Sequence, residues 1–132
     1  PKAASTALAS EDSARAALVP LLAEQGLAPG TVAELASAIG ADAGVVRKVL
    51  TKLVAEGAVV RLGPDLHFDA ATVVAAREKI VAYLHEHGTI LAKDARDITG
   101  SSRKYIVPLL EYFDSQGVTK RDGDERTLGK RG

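Results

Sequence analysis

The feature that most constrains this chain is an internal repeat. Displacing the sequence by 60 residues lays Gly40, Gly57 and Gly63 on Gly100, Gly117 and Gly123, and Arg61 on Arg121. In the same register Val46, Val49, Leu50 and Leu53 fall on Ile106, Leu109, Leu110 and Phe113. Self-similarity at one period means that one supersecondary unit is used twice. A chain of 132 residues has room for two small domains, read here as residues 1–69 and 70–132.

Each copy reads the same way. In the first, Ala14, Ala17, Leu18, Leu21 and Leu22 mark a helix capped near Ser10, which Pro20 should kink or break. Thr31 opens a short helix closed by Gly40, and Asp42 opens a third that Gly57 ends. Two β-prone runs around Gly63-Pro64-Asp65 form a hairpin. In the second copy a helix of about 17 residues runs through Val73, Ala76, Ile80 and Leu84 to Gly88. A short helix around Ala92–Ile98 and a third capped by Ser101 or Ser102 follow, then a hairpin about Asp122-Gly123-Asp124. Helix, helix-turn-helix and hairpin is the winged-helix layout. The expected fold class is mainly α with small β-hairpins (α+β), as two tandem winged-helix domains. Asp69-Ala70-Ala71-Thr72 is too short to be a flexible tether, so a fixed mutual orientation is expected.

Composition narrows the chemistry. Cysteine is absent, which removes disulfides and thiolate chemistry and fits a cytoplasmic setting. No apolar run approaches the ~18 residues of a membrane span. The chain opens on Pro1 rather than Met and is read as a piece of a longer protein. Aromatic residues are only 4%, so base stacking is not the main binding mode. Net charge is zero, unlike most nucleic-acid binders. The charge is unevenly placed, however: residues 1–87 hold 8 Lys/Arg against 10 Asp/Glu, and residues 88–132 hold 9 against 7.

In a helix-turn-helix fold the start of the third helix and the tip of the wing reach phosphates and base edges. In the second copy that helix opens with Ser101-Ser102-Arg103-Lys104-Tyr105, and the wing carries Lys120, Arg121 and Arg126. Cations there can pair phosphates, and the helix start favours an anion. A solvated helix start and a charged hairpin of an ordinary soluble domain have the same residues. The first copy has no cation in Gly63-Pro64-Asp65, so a spacer or packing role is expected of it. His85 and His87 point to different sides of a helix and make a poor metal pair, so no metal site is expected. Gly123…Gly129-Lys130-Arg131 lacks the spacing and the Ser/Thr of a phosphate loop.

The segment from Gly88 through Ser102-Arg103-Lys104-Tyr105-Ile106-Val107-Pro108-Leu109-Leu110-Glu111-Tyr112 to Gly117-Val118-Thr119-Lys120-Arg121-Asp122-Gly123-Asp124-Glu125-Arg126 resembles the last winged-helix domain of SelB-type elongation factors, which are specific for selenocysteine. It covers about a third of the chain. Residues 10–69 look like a generic winged helix. The resemblance implies an RNA-binding module that grips a selenocysteine-insertion hairpin in mRNA and tethers the factor for UGA recoding. It implies Arg103, Lys104, Tyr105, Lys120, Arg121, Gly123 and Arg126 as RNA contacts, with Lys93 and Arg96 as secondary backbone contacts. GTP binding and GTPase activity belong to N-terminal domains outside this chain, so no enzyme activity and no cofactor are expected of it. The expected partners are the mRNA hairpin and, for the full-length factor, the ribosome. A monomer with no membrane association is expected. Two rivals remain open at this level: a DNA-binding winged-helix transcriptional regulator, and a winged helix that binds protein through apolar surface.

Overall fold

The computed structural model describes residues 10–132, which divide into two compact units at 71/72. In the first, α1 (Glu11–Gln25), α2 (Val32–Ile39) and α3 (Ala43–Ala55) precede the antiparallel hairpin β1 (Val59–Gly63) and β2 (Leu66–Asp69). In the second, α4 (Ala70–His87) leads to β3 (Ile90–Leu91), α5 (Ala92–Thr99), α6 (Arg103–Ser115), β4 (Thr119–Asp122) and β5 (Glu125–Leu128). These are two winged helices in α+β form.

The helix starts are set by side chains that satisfy the first backbone donors. Ser10 accepts from the Ser13 N–H at 3.1 Å, and Thr31 and Glu34 form a capping box. Asp42 accepts from the Gly44 N–H at 2.9 Å. The ends of α3 and α6 repeat bond for bond. Ala58 N–H donates to the Leu53 carbonyl and Gly57 N–H to that of Val54; Val118 and Gly117 donate likewise to Phe113 and Asp114. Each closure needs positive φ at its glycine, 81° at Gly57 and 76° at Gly117. The shared glycines of the repeat therefore mark one reused chain reversal, which points the strand that follows along its helix.

The apolar stripes face inward as their spacing requires. Leu18, Leu35, Leu50 and Leu53 form the centre of the first core, and Ile80, Ile90, Ile106, Leu109, Leu110 and Phe113 are the large fully buried side chains described in the second unit. Truncating any one of these leucines would cost about 2–5 kcal/mol. Pro20 and Pro108 both lie inside continuous helices, so neither breaks its helix. Each proline only deprives the carbonyl four residues earlier of its donor.

Asp69 ends β2 and Ala70 opens α4, and the Ala70 N–H donates to the Ala58 carbonyl at 3.0 Å. One expectation is corrected: the second sheet is more than a hairpin, because Ile90–Leu91 pairs with Arg126 and Glu125 and makes it three-stranded in the order β3-β5-β4. Two residues are too few for a period-2 pattern to show in sequence. Among the described residues no helix is long and apolar enough to cross a membrane.

His67 in β2 is buried, and desolvation, reinforced by Arg61, pulls its pKa below the ordinary histidine value. The unfolded chain then takes up a proton more readily than the folded one. The contribution of His67 to stability is therefore complete above about pH 6.5 and is lost as the pH falls below it. Melting the wild type and His67→Leu at pH 7.5 and 5.5 should show the larger acid loss in the wild type. Equal losses would mean that His67 does not couple folding to protons.

Candidate nucleic-acid interface

The start of α6 differs from that of α3 in one way that bears on ligands. Asp42 spends its carboxylate on capping α3, whereas Ser102 at the corresponding place makes no side-chain capping bond. An uncapped helix start keeps its preference for an outside anion. Arg103 and Lys104, the first two residues of α6, are exposed, and Tyr105 is half-buried. Lys104 Nζ lies 5.3 Å from the centroid of the Tyr105 ring, a cation–π contact that holds charge and ring together. Tyr112 packs instead at the rim, its ring 5.8 Å from that of Phe113.

The wing supplies the second group. β4 and β5 pair from Thr119↔Leu128 to Asp122↔Glu125, leaving Gly123-Asp124 as a two-residue turn. Gly123 takes φ 66° at the first turn position, where an L side chain would be strained. Arg121 Nε donates to the Gly123 carbonyl at 3.0 Å, so the turn itself holds the guanidinium at the tip. The first wing has the same bond, Arg61 Nε to the Gly63 carbonyl at 2.9 Å. Lys120, Arg121 and Gly123 are all exposed.

Arg126 departs from expectation. Read as an open cation of the wing, it is in fact 6% exposed and bound to Asp114. Its Nε donates to both carboxylate oxygens at 3.1 Å and its Nη2 lies 3.0 Å from Asp114 Oδ2. The Thr119 hydroxyl donates to Asp114 Oδ1 at 2.6 Å. The network ties the last turn of α6 to both strands of the wing. The side chain is held inside the unit because strand alternation puts Arg126 on the same face as Leu128. That period was the available signal. Asp114 and Thr119 belong to no motif; their trace in the sequence is the carboxylate that stands in the repeat where the first copy has Val54.

The secondary contacts are split. Lys93 on α5 is exposed, whereas Arg96 is half-buried and its Nε has no hydrogen-bond partner in the protein.

Fold and site together define a tandem winged-helix protein whose second unit presents cations at a helix start and a wing tip. Residues 82–128, which contain every one of the site residues above, match the family model described as elongation factor SelB, winged helix. The chain is 31% identical over 100 residues to the selenocysteine-specific elongation factor of Escherichia coli K12, covering 76% of this chain and 16% of that protein. It is 26% identical over 108 residues to that of Desulfomicrobium baculatum, covering 82% of this chain and 17% of that protein. It spans about a sixth of the length of these curated relatives. Among solved structures it is similar to the mRNA-binding domain of E. coli SelB in complex with SECIS RNA, with a TM-score of 0.75 and 28% identity, covering 89% of this chain and 98% of that one. These matches are all to SelB proteins, and to their winged-helix portion.

Removing one member of a buried pair strands the other charge. Asp114→Ala should therefore destabilise the second unit by about 3 kcal/mol. Asp114→Val combined with Arg126→Leu, which replaces the pair by apolar side chains, should recover most of that loss. Urea unfolding of the three proteins checks this, and a double variant no better than Asp114→Ala would contradict it.

Proposed function

We propose that this chain is the mRNA-hairpin-binding module of a SelB-type elongation factor, which tethers the factor to a selenocysteine-insertion element so that UGA is recoded. The observation that carries the reading is the match over residues 82–128, because it encloses both cationic groups and the network that positions the wing. The solved SelB domain in complex with SECIS RNA supports the same ligand class. RNA hairpins are read through phosphates, shape and splayed-out bases. A small cationic patch on a protein of zero net charge suits that mode.

In this reading Arg103 and Lys104 pair backbone phosphates at the start of α6, and Tyr105 offers a face to an unstacked base. Lys120 and Arg121 engage the RNA from the wing, where Gly123 allows close backbone approach. Lys93 and Arg96 add backbone contacts, that of Arg96 limited by its burial. Arg126 acts by bracing the wing rather than as an open cation. The ribosome, GTP and cytoplasmic translation enter through the full-length factor, and this chain binds as a monomer.

The two arginines separate contact from bracing. Arg121→Ala should weaken binding to a cognate hairpin by about 1–3 kcal/mol without lowering the melting temperature, and raised salt should mimic the loss. Arg126→Ala should lower both affinity and melting temperature. Tighter binding to duplex DNA than to a bulged RNA hairpin in parallel titrations would reject the RNA reading. Arg121→Ala binding like wild type would reject the assigned site.

A further inference from the structure

The two wings are built alike, but the interior of the first is left open. In the hairpins Arg61 pairs with His67 and Arg121 with Arg126, so His67 occupies the place of the braced arginine. Val54 occupies the place of Asp114. The first unit therefore puts a basic side chain at this point without the carboxylate that neutralises it in the second. A cleft of about 240 Å³ lies there, and Arg47, Thr51, Val54, Arg61 and His67 are among the residues that line it.

The lining holds two arginines and a histidine and no carboxylate. His67 is 7% exposed, and its Nδ1 is buried with no hydrogen-bond partner in the protein. A buried polar atom without a partner costs free energy that a ligand can recover. Arg61 spends only its Nε on the Gly63 carbonyl. Asp65, a carboxylate whose field reaches His67, accepts from the Val32 N–H at 2.6 Å and caps α2. Thr51 donates its hydroxyl to the Arg47 carbonyl and so has no proton to offer.

We infer that this cleft is an oxyanion site, in which a phosphate group held by Arg47, Arg61 and His67 supplies the charge that Asp114 supplies in the second unit. Forked guanidinium groups suit a tetrahedral oxyanion, and a protonated imidazole donates from both nitrogens. Arg61 and Arg47 disfavour His67 protonation and Asp65 favours it; a bound anion shifts that balance toward the charged ring. Binding therefore tightens as the pH falls. The phosphate comes either from an RNA backbone or from free phosphate.

The test is NMR titration of the His67 ring in the 132-residue chain. Sulfate serves as the first probe because its charge is constant across the range, with chloride at matched ionic strength as the control. Sulfate should bind saturably, more tightly at pH 5.5 than at 7.5. The Arg47→Gln/Arg61→Gln double variant should bind it at least about tenfold more weakly with an unchanged melting temperature. A His67 response no larger than with chloride, or a double variant that binds like wild type, overturns the assignment. Two further arms use inorganic phosphate and an RNA hairpin on Arg121→Ala, which keeps the first unit intact. A His67 response to the hairpin identifies RNA as the source; a response to inorganic phosphate alone identifies the free anion. Either supports the site, and silence in both overturns it.

Discussion

The pairing of Asp114 with Arg126 is the interaction on which the placement of the second unit's wing depends. A four-residue strand pair is too short to hold its own geometry, and the sheet gains only a two-residue third strand. What fixes the wing against α6 is a carboxylate that accepts from Thr119 in β4 and from Arg126 in β5. Such a pair is not a large net source of stability, because desolvation offsets most of the Coulomb gain. Its value is geometric: both hydrogen-bonding partners are directional, so the wing has one low-energy position relative to the helix start. The exposed cations at both places are thereby held at a fixed separation.

How far the sequence alone led depended on the length of the signal. The helices announced themselves through Val46/Val49/Leu50/Leu53 and Ile106/Leu109/Leu110/Phe113, because a buried helix face repeats over several turns. Capping at Ser10, Thr31 and Asp42 followed from residue type. Ile90–Leu91 escaped because pairing across space, not local pattern, makes it a strand. The site divided along the same line. Arg103, Lys104, Lys120 and Arg121 stay exposed, with Lys104 against the neighbouring Tyr105 ring and Arg121 bonded to its own turn. Arg126 is indistinguishable from them as a residue type. Only the face of β5 it occupies, and the position of Asp114 across the fold, turn it inward.

The two units also show how one scaffold distributes charge. At equivalent places the first has His67 near Val54 and the second Arg126 against Asp114. The first helix start is closed by its own aspartate, the second left uncapped. Surface ion pairs do the joining work in the first unit, Arg15 with Glu56 and Lys52 with Glu11. Exposed pairs of this kind contribute little to stability and are screened by salt. The basic residues of the first unit are thus partly committed to neighbours, while those at the second helix start and wing tip stay exposed.

The bond from Arg121 Nε to the Gly123 carbonyl bears on the thermodynamics of association. A long cationic side chain in solution samples many rotamers, and immobilising it on a partner costs about 0.5–1.5 kcal/mol. Here much of that ordering is already done by the turn in the unbound protein, so a ligand meets a preset donor rather than a searching one. A lysine could carry the same charge to this spot. Its donors all sit on one nitrogen at the end of a flexible stem, whereas arginine bonds the turn through Nε and keeps its two Nη groups in a rigid plane beyond it. The choice of arginine at the tip is in this sense a choice about entropy more than about charge.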